Sequence, residues 1–249
     1  GRSRAARCRQ IERVYLMIVL LLLFFTGLAL GQERLTETKV LRDLRIEMRD
    51  GVKLAADVYL PGGGAERRPT LVARTPYNRA GLRRDAEWFA QQGYAFVAVD
   101  VRGRFASEGP FYPFVNEGPD GYDMIEWAAR QEWSNGKVGT YGASYLAWDQ
   151  YRAALENPPH LVAMFANVGG ADFYQEFGYP GGTLNLGWGI WIARSAETSP
   201  PAQSLPEQKA VLSRILESPG EWLRQHPRDR AKVFDPFPTH RRIYDDFLA

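Results

Sequence analysis

Apolar and polar positions along the chain follow a regular order after residue 40. The segment LRIEMRDGVKLAADVYLP, residues 44–61, contains two alternating runs joined at Asp50-Gly51, a dipeptide typical of tight hairpin turns. Strand-like runs then alternate with amphipathic helical patterns. The strands are PTLVARTPYN, AFVAVDVRG, KVGTYGAS and HLVAMFANVGG, and the helices between them are DAEWFAQQGY, GPDGYDMIEWAARQ and YLAWDQYRAALEN.

A hairpin followed by a βαβαβαβ series predicts a mostly parallel, open α/β sheet with helices on both faces. The run AFVAVDVRG is apolar enough to be buried on both faces of such a sheet. Ligands of these sheets bind at the carboxyl ends of the strands. Ser144 stands at one such end, between the strand KVGTYGAS and the helix that follows it.

The first 31 residues have a different pattern from the rest of the chain. A segment with five arginines and one glutamate precedes 18 uncharged residues, VYLMIVLLLLFFTGLALG, and polar sequence then returns. This order is typical of a secretory signal peptide, with Ala29 and Gly31 at the −3 and −1 positions of a cleavage site. The segment therefore predicts a secreted or periplasmic protein, with an uncleaved N-terminal anchor as the alternative.

Composition narrows the classes of function. The signal segment holds five of the 31 basic and one of the 29 acidic residues, so the rest carries 26 basic against 28 acidic residues, a net charge of −2. Nothing in that balance indicates a nucleic-acid partner. The single cysteine, Cys8, precedes the apolar run, which excludes disulfides and thiol catalysis after cleavage. No cluster of His, Asp and Glu has metal-ligand spacing, and we expect no cofactor.

Ser144 is either a nucleophile or a small residue in an ordinary βα turn. A serine hydroxyl is a weak nucleophile that needs exposure, a base and donors for an oxyanion. A sharp strand-to-helix turn supplies exposure and aims N–H groups of the helix N-terminus at the developing charge. Gly142 would allow the close approach at such a turn, but Leu146 occupies the second glycine position of the Gly-x-Ser-x-Gly pattern.

A wider resemblance involves most of the chain after residue 40. GASYLA resembles the Gly-x-Ser-Tyr-x-Gly turn of the cocaine esterase and Xaa-Pro dipeptidyl-peptidase family of α/β-hydrolases, which includes α-amino-acid ester hydrolases. Five more segments resemble the family in the same order: MRDGVKLAADVYLP, RTPYNR, AVDVRGRFASEGPF, NEGPDGYDMIEWAARQEWSNGKVGTYGASY and GYPGGTLNLGW. Ala147 stands where the family usually has glycine.

The resemblance implies roles for three residues. Ser144 matches the nucleophile, the Tyr77 phenol matches one oxyanion donor, and the backbone N–H of Tyr145 matches the other. The alternative interpretation of Tyr77 is a solvent-facing ring in a Pro-Tyr turn. Other charged loop residues are expected to form ion pairs that hold the loop beside the site: Asp100, Arg102 and Glu108. Trp127 and Trp133 are expected to be core residues.

The base that a serine nucleophile needs is not evident. His160 opens a strand, so we expect it at the edge of the sheet opposite Ser144. His226 and His240 lie in the segment after residue 173, which resembles the helical cap of the family. Asp172 follows a strand and is either an acid or a helix N-cap. The resemblance places the acid and the histidine beyond the cap, so we expect both to be missing from this chain.

These observations predict three segments: a signal peptide at 1–31, an incomplete α/β-hydrolase core at 32–172 and a helical cap at 173–249, with the C-terminal part of the fold missing. Two functions remain. The first is a serine hydrolase that acts on a small ester, amide or Xaa-Pro peptide through an acyl-enzyme, with this chain an inactive fragment and no membrane partner after cleavage. The second is a noncatalytic α/β-hydrolase-like binding protein.

Overall fold

A six-stranded mixed sheet organises the fold. The computed structural model describes residues 37–62, 66–170 and 172–249, so the predicted signal peptide lies outside the described residues. The strands are β1 (Lys39–Glu47), β2 (Lys53–Leu60), β3 (Arg68–Thr75), β4 (Ala95–Asp100), β5 (Ser134–Ala143) and β6 (Leu161–Asn167). Their order across the sheet is β1-β2-β4-β3-β5-β6.

The predicted hairpin is confirmed by the pairing of the first two strands. β1 and β2 are antiparallel, with Glu47 opposite Lys53. Gly51 has a φ of 84° in the turn between them, a conformation that glycine adopts without steric cost. The turn is closed by the Gly51 N–H, which donates to the Met48 carbonyl at 2.9 Å. β2 also pairs antiparallel with β4, which joins the hairpin to the rest of the sheet.

The remaining strands form the predicted parallel series. β4 pairs parallel with β3, β3 with β5, and β5 with β6. All six residues of β4 are buried, as its continuous apolar sequence indicates. Three helices connect these strands: α1 (Arg83–Gln91), α2 (Glu117–Ala129) and α3 (Tyr145–Leu155). The predicted α/β-hydrolase-like arrangement of sheet and helices is thereby confirmed as far as the described residues extend.

Residues after 172 are mainly helical. They form α4 (Gly187–Glu197), α5 (Pro200–Ser204), α6 (Pro206–Glu217), α7 (Gly220–Leu223), α8 (Pro227–Ala231) and α9 (Pro238–Leu248). Their buried side chains, among them Ile192, Phe234 and Tyr244, belong to the same apolar cluster as Phe96 of the sheet. Residues 37–249 thus make one compact unit, and a separate cap beginning at residue 173 stays a prediction. No helix of the described residues is long and apolar enough to cross a membrane.

Within the described residues the sheet ends at β6, which carries exposed apolar side chains on both of its faces. Val162 and Phe165 are 61% and 59% exposed, and Met164 is 41% exposed. The strands β2 and β4, inside the sheet, are by contrast buried along most of their length. Among the described residues β6 pairs only with β5, so its outer edge combines unpaired backbone groups with apolar side chains, a combination that readily pairs with other chains.

Candidate active site

Ser144 lies in a sharp turn between the end of β5 at Ala143 and the start of α3 at Tyr145. Its φ of 59° and ψ of −121° are rare for any residue other than glycine. Such a backbone costs about 1–3 kcal/mol and is found at sites where the surrounding structure enforces it. The Ser144 N–H donates to the Asn167 carbonyl at 3.0 Å, which ties the turn to the end of β6. The side chain is partly exposed.

Two glycines permit the turn to pack tightly. A Cβ atom on Gly142 would lie 2.3 Å from the Cβ atom of Leu146, so residue 142 must be glycine when residue 146 is leucine. A Cβ atom on Gly169 would lie 2.7 Å from the Cβ atom of Ala147. The methyl group at position 147, where the resembling family has glycine, is accommodated because residue 169 has no side chain.

The N-terminus of α3 points its first N–H groups toward the turn. The Ser144 carbonyl accepts the N–H groups of Ala147 and Trp148 at 2.9 and 3.2 Å. Tyr145 is the first residue of the helix, so its N–H has no carbonyl one turn earlier in the helix to which it could donate. It is therefore placed where a helix N-terminus attracts negative charge.

Tyr77 lines the same cavity as Ser144. The cavity has a volume of about 230 Å³, and its wall also includes aromatic side chains, namely Phe114, Tyr145, Trp148, Phe177, Trp188 and Trp191. The Tyr77 hydroxyl accepts a hydrogen bond from Trp191 Nε1 at 3.0 Å. Because the indole can only donate, the phenol proton remains available for an acceptor in the cavity. The structure thus brings together the three residues singled out from the sequence.

A buried polar cluster beneath the turn was not anticipated from the sequence. The Tyr145 hydroxyl donates to Glu117 of α2, and Arg74 of β3 donates to the Asp149 carbonyl at 2.8 Å. Burial raises the pKa of Glu117 and, more strongly, that of Asp149. The signal for this cluster was the presence of acidic residues on faces of helices that pack against the sheet. The cluster fixes the ring of Tyr145, whose backbone N–H lies next to Ser144.

The three histidines lie away from the cavity. His160 precedes β6 at its amino end, where its Nδ1 lies 2.8 Å from Glu126 Oε2. His226 caps α8 by accepting the Arg228 N–H. His240 is 4% exposed, with Nε2 at 3.2 Å from Ser195 Oγ. None of them lines the wall of the Ser144 cavity.

Asp172 and the charged loop residues have structural contacts. The Asp172 carboxylate accepts the Gln175 N–H at 3.0 Å, as expected of the N-cap alternative. Asp100 pairs with Arg79, Arg102 binds Asp50 and Asp120, and the Glu108 carboxylate accepts the Lys53 N–H. Trp127 and Trp133 contact each other and pack against the apolar cluster that includes Val97 and Met124. Among the described residues, no three His, Cys, Asp or Glu side chains could hold a metal ion.

The buried His240 predicts a specific loss of stability in acid. Burial and the nearby Arg104 lower its pKa from the ordinary 6.5 to about 3. The stabilisation that comes from keeping this imidazole neutral in the folded state is therefore complete above the unfolded-state pKa. It is lost as the pH falls from the unfolded-state pKa toward the folded-state pKa. Between pH 7.5 and 5.0, we expect the wild type to lose about 2 kcal/mol more unfolding free energy than His240→Gln.

Urea unfolding at the two pH values tests this prediction. His226→Gln is the matched control, because it removes an imidazole from an exposed helix start and should follow the wild type. Equal pH dependence in the wild type and His240→Gln would contradict the prediction.

The chain is similar to known proteins of one family. The model of the X-Pro dipeptidyl-peptidase (S15) family matches residues 50–247. Cocaine esterase from Rhodococcus sp. is 37% identical over 182 residues, which cover 69% of this chain and 31% of that protein. This chain thus spans about a third of that relative.

Solved structures agree with the sequence match. A CocE/NonD family hydrolase from Staphylococcus aureus has a TM-score of 0.57 at 30% identity, over 64% of this chain and 33% of that chain. An α-amino acid ester hydrolase has a TM-score of 0.52 at 28% identity, over 68% of this chain and 31% of that chain. The chain with Ser144 in its strand-to-helix turn therefore belongs to the X-Pro dipeptidyl-peptidase (S15) family, which includes relatives of the cocaine esterase type.

Proposed function

We propose that the protein is a serine hydrolase that cleaves small acyl esters, amides or Xaa-Pro peptides through an acyl-enzyme on Ser144. The observation that carries the proposal is the convergence of Ser144 and Tyr77 on one cavity, next to the N-terminus of α3. A strained turn holds the serine, and two donors of different kinds lie close to it. That combination suits attack on a carbonyl group followed by stabilisation of an oxyanion.

The chemistry proceeds in two halves. Ser144 Oγ attacks the carbonyl carbon, and the resulting oxyanion accepts hydrogen bonds from the Tyr77 hydroxyl and the Tyr145 N–H. The C–O or C–N bond to the leaving group then breaks, and the alcohol or amine departs with a proton. Water attacks the acyl-enzyme in the second half, the ester bond to Ser144 breaks, and the acid is released.

The proton of Ser144 needs a base, and the described residues offer no histidine in the cavity wall. An oxyanion site and binding alone leave a serine hydrolase with about 10³–10⁴-fold acceleration over water. We propose that this chain by itself turns over substrate at that residual level. Residues 1–31 have the order of basic, apolar and small residues found in signal peptides, so we also propose that the protein is exported.

Covalent labelling tests the proposed nucleophile without requiring turnover. A fluorophosphonate at millimolar concentration should slowly add one phosphonyl group to Ser144, as located by peptide mass spectrometry. Ser144→Ala should remove this modification, whereas Ser204→Ala, which alters an exposed serine of α5, should leave it unchanged. A folded wild-type chain that remains unlabelled at Ser144 would contradict the proposal and favour the noncatalytic binding protein.

A further inference from the structure

We propose that a chamber beside the Ser144 cavity binds a carboxylate group of the substrate, so that esters or amides carrying a negative charge are preferred. The inference rests on the proposed function, because it concerns the same substrate. The chamber has a volume of about 610 Å³ and shares Tyr77, Gly187 and Trp191 with the cavity of Ser144. A ligand that places its carbonyl at Ser144 can therefore extend past Tyr77 into the chamber.

The wall of the chamber has two cationic side chains and no acidic one. It is formed by two loops and by α4, and its residues are Pro76, Tyr77, Arg104, Phe105, Gly187, Ile190, Trp191, Arg194, Ser195 and Thr198. Two arginines thus line a space bounded otherwise by apolar and neutral polar residues. Such a wall favours an anionic group over a neutral or cationic one.

Arg104 is a buried cation whose hydrogen bonds all go to neutral groups. It is 2% exposed and donates to the Pro76 carbonyl at 3.1 Å, the Ser195 carbonyl at 2.9 Å and Thr198 Oγ1 at 2.6 Å. No carboxylate of the described residues lies within 4.0 Å of its guanidinium nitrogens. By contrast, the buried Arg102 contacts the carboxylates of both Asp50 and Asp120.

The charge of Arg104 persists at neutral pH and is held in place. Burial lowers its pKa to about 10, which leaves the guanidinium protonated at pH 7. Its three bonded partners and the rings of Phe105 and Phe111, each 5.1 Å from its Cζ atom, fix its position. Arg104 therefore supplies a permanent positive potential to the chamber from within the protein wall.

Arg194 is the group placed to contact the ligand directly. It lies on the exposed side of α4 and lines the chamber. Within the described residues its guanidinium has no ion-pair partner closer than 4.0 Å. An exposed guanidinium presents a planar pair of N–H groups that matches the two oxygens of a carboxylate. One such side chain fits a carboxylate better than a phosphate dianion, which would call for further donors.

Equilibrium binding of a matched pair of compounds tests the proposal. N-benzylsuccinamate has an amide carbonyl and a carboxylate, and N-benzylsuccinamide is its neutral counterpart. We expect the acid to bind about 10-fold more tightly by isothermal titration, and this preference should decrease as the ionic strength rises. Arg194→Gln should reduce the preference to within about two-fold, with binding of the neutral amide unchanged.

Controls test whether the preference for the acid comes from the chamber. Arg84→Gln removes an exposed arginine of α1 outside the chamber and should keep the full preference. The readout is equilibrium binding without turnover, so the result does not depend on whether Ser144 is the nucleophile. Equal affinity for the two compounds, a preference that survives in Arg194→Gln, or no binding of either compound at 10 mM would each overturn the proposal.

Discussion

Replacing Arg79 by leucine is expected to lower the free energy of unfolding by about 3–5 kcal/mol, because the change leaves a buried carboxylate without its cation. Arg79 begins the short helix Arg79–Leu82, and its Nη1 lies 2.5 Å from Oδ2 of the fully buried Asp100. Its Nε lies 3.2 Å from Asp57, and its Nη2 contacts Asp43. Burial already raises the pKa of Asp100, and the hydrogen bonds from Arg79 oppose that rise.

Arg83→Leu is the matched control four residues away. Arg83 pairs with Glu87 on the surface of α1, with the side chains 63% and 36% exposed. An exposed pair of this kind contributes less than about 1 kcal/mol. Urea denaturation followed by circular dichroism should therefore separate the two variants clearly. Equal destabilisation would mean that the Arg79 network is not a buried ion-pair system.

Since Tyr77 lies two residues before Arg79, the network also holds the loop of the proposed oxyanion donor.

Gly142→Ala is expected to destabilise the protein by about 2–4 kcal/mol, through overpacking at the turn that carries Ser144. The added methyl group would lie 2.3 Å from the Cβ atom and 2.8 Å from the Cδ2 atom of Leu146, and Gly142 has a φ of 148°. Real Cβ atoms do not approach so closely, so the start of α3 must move. The unfolding free energy at pH 7.5 measures the effect.

Gly51→Ala measures the free-energy cost of a positive φ without a steric contact. Gly51 also has a positive φ, 84°, but an added Cβ atom there meets nothing within 4 Å, so a cost of about 1 kcal/mol is expected. A double-mutant cycle identifies the contact itself: in a Leu146→Gly background, Gly142→Ala should cost much less than in the wild type. An unchanged cost in that background would show that the Leu146 contact is not responsible.

The strands and the turn at Ser144 could be predicted because their signals are local. Asp50-Gly51 specifies a hairpin within four residues, and the apolar run of β4 identifies a central strand by itself. The position of Ser144 between a strand pattern and a helix pattern likewise needs no long-range information. The placement of Tyr77 beside it was implied by the family resemblance, and the structure explains it by the adjacency of β3 and β5.

Other features depend on contacts between distant parts of the chain. Glu117 and Tyr145 meet because α2 and α3 pack against the sheet, although 28 residues separate them. Arg104 and the carbonyl of Ser195 are 91 residues apart, and no periodicity links them. The compatibility of Ala147 with Gly169 is a matter of atomic distances between two elements. Such pairings appear only when the fold is known.

The aromatic rings around Ser144 also give the site an optical signature. Tyr145 and Trp191 stack with centroids 6.0 Å apart at 12°, and Trp188 meets Trp191 edge-on at 5.2 Å. Chromophores held in a fixed, chiral arrangement produce near-ultraviolet circular dichroism, which vanishes when tertiary packing loosens while secondary structure persists. These rings contribute to that spectral band together with the other tryptophans and tyrosines of the chain, so a loss of the band in a variant at the cavity wall reports loosened packing there without a substrate or a label.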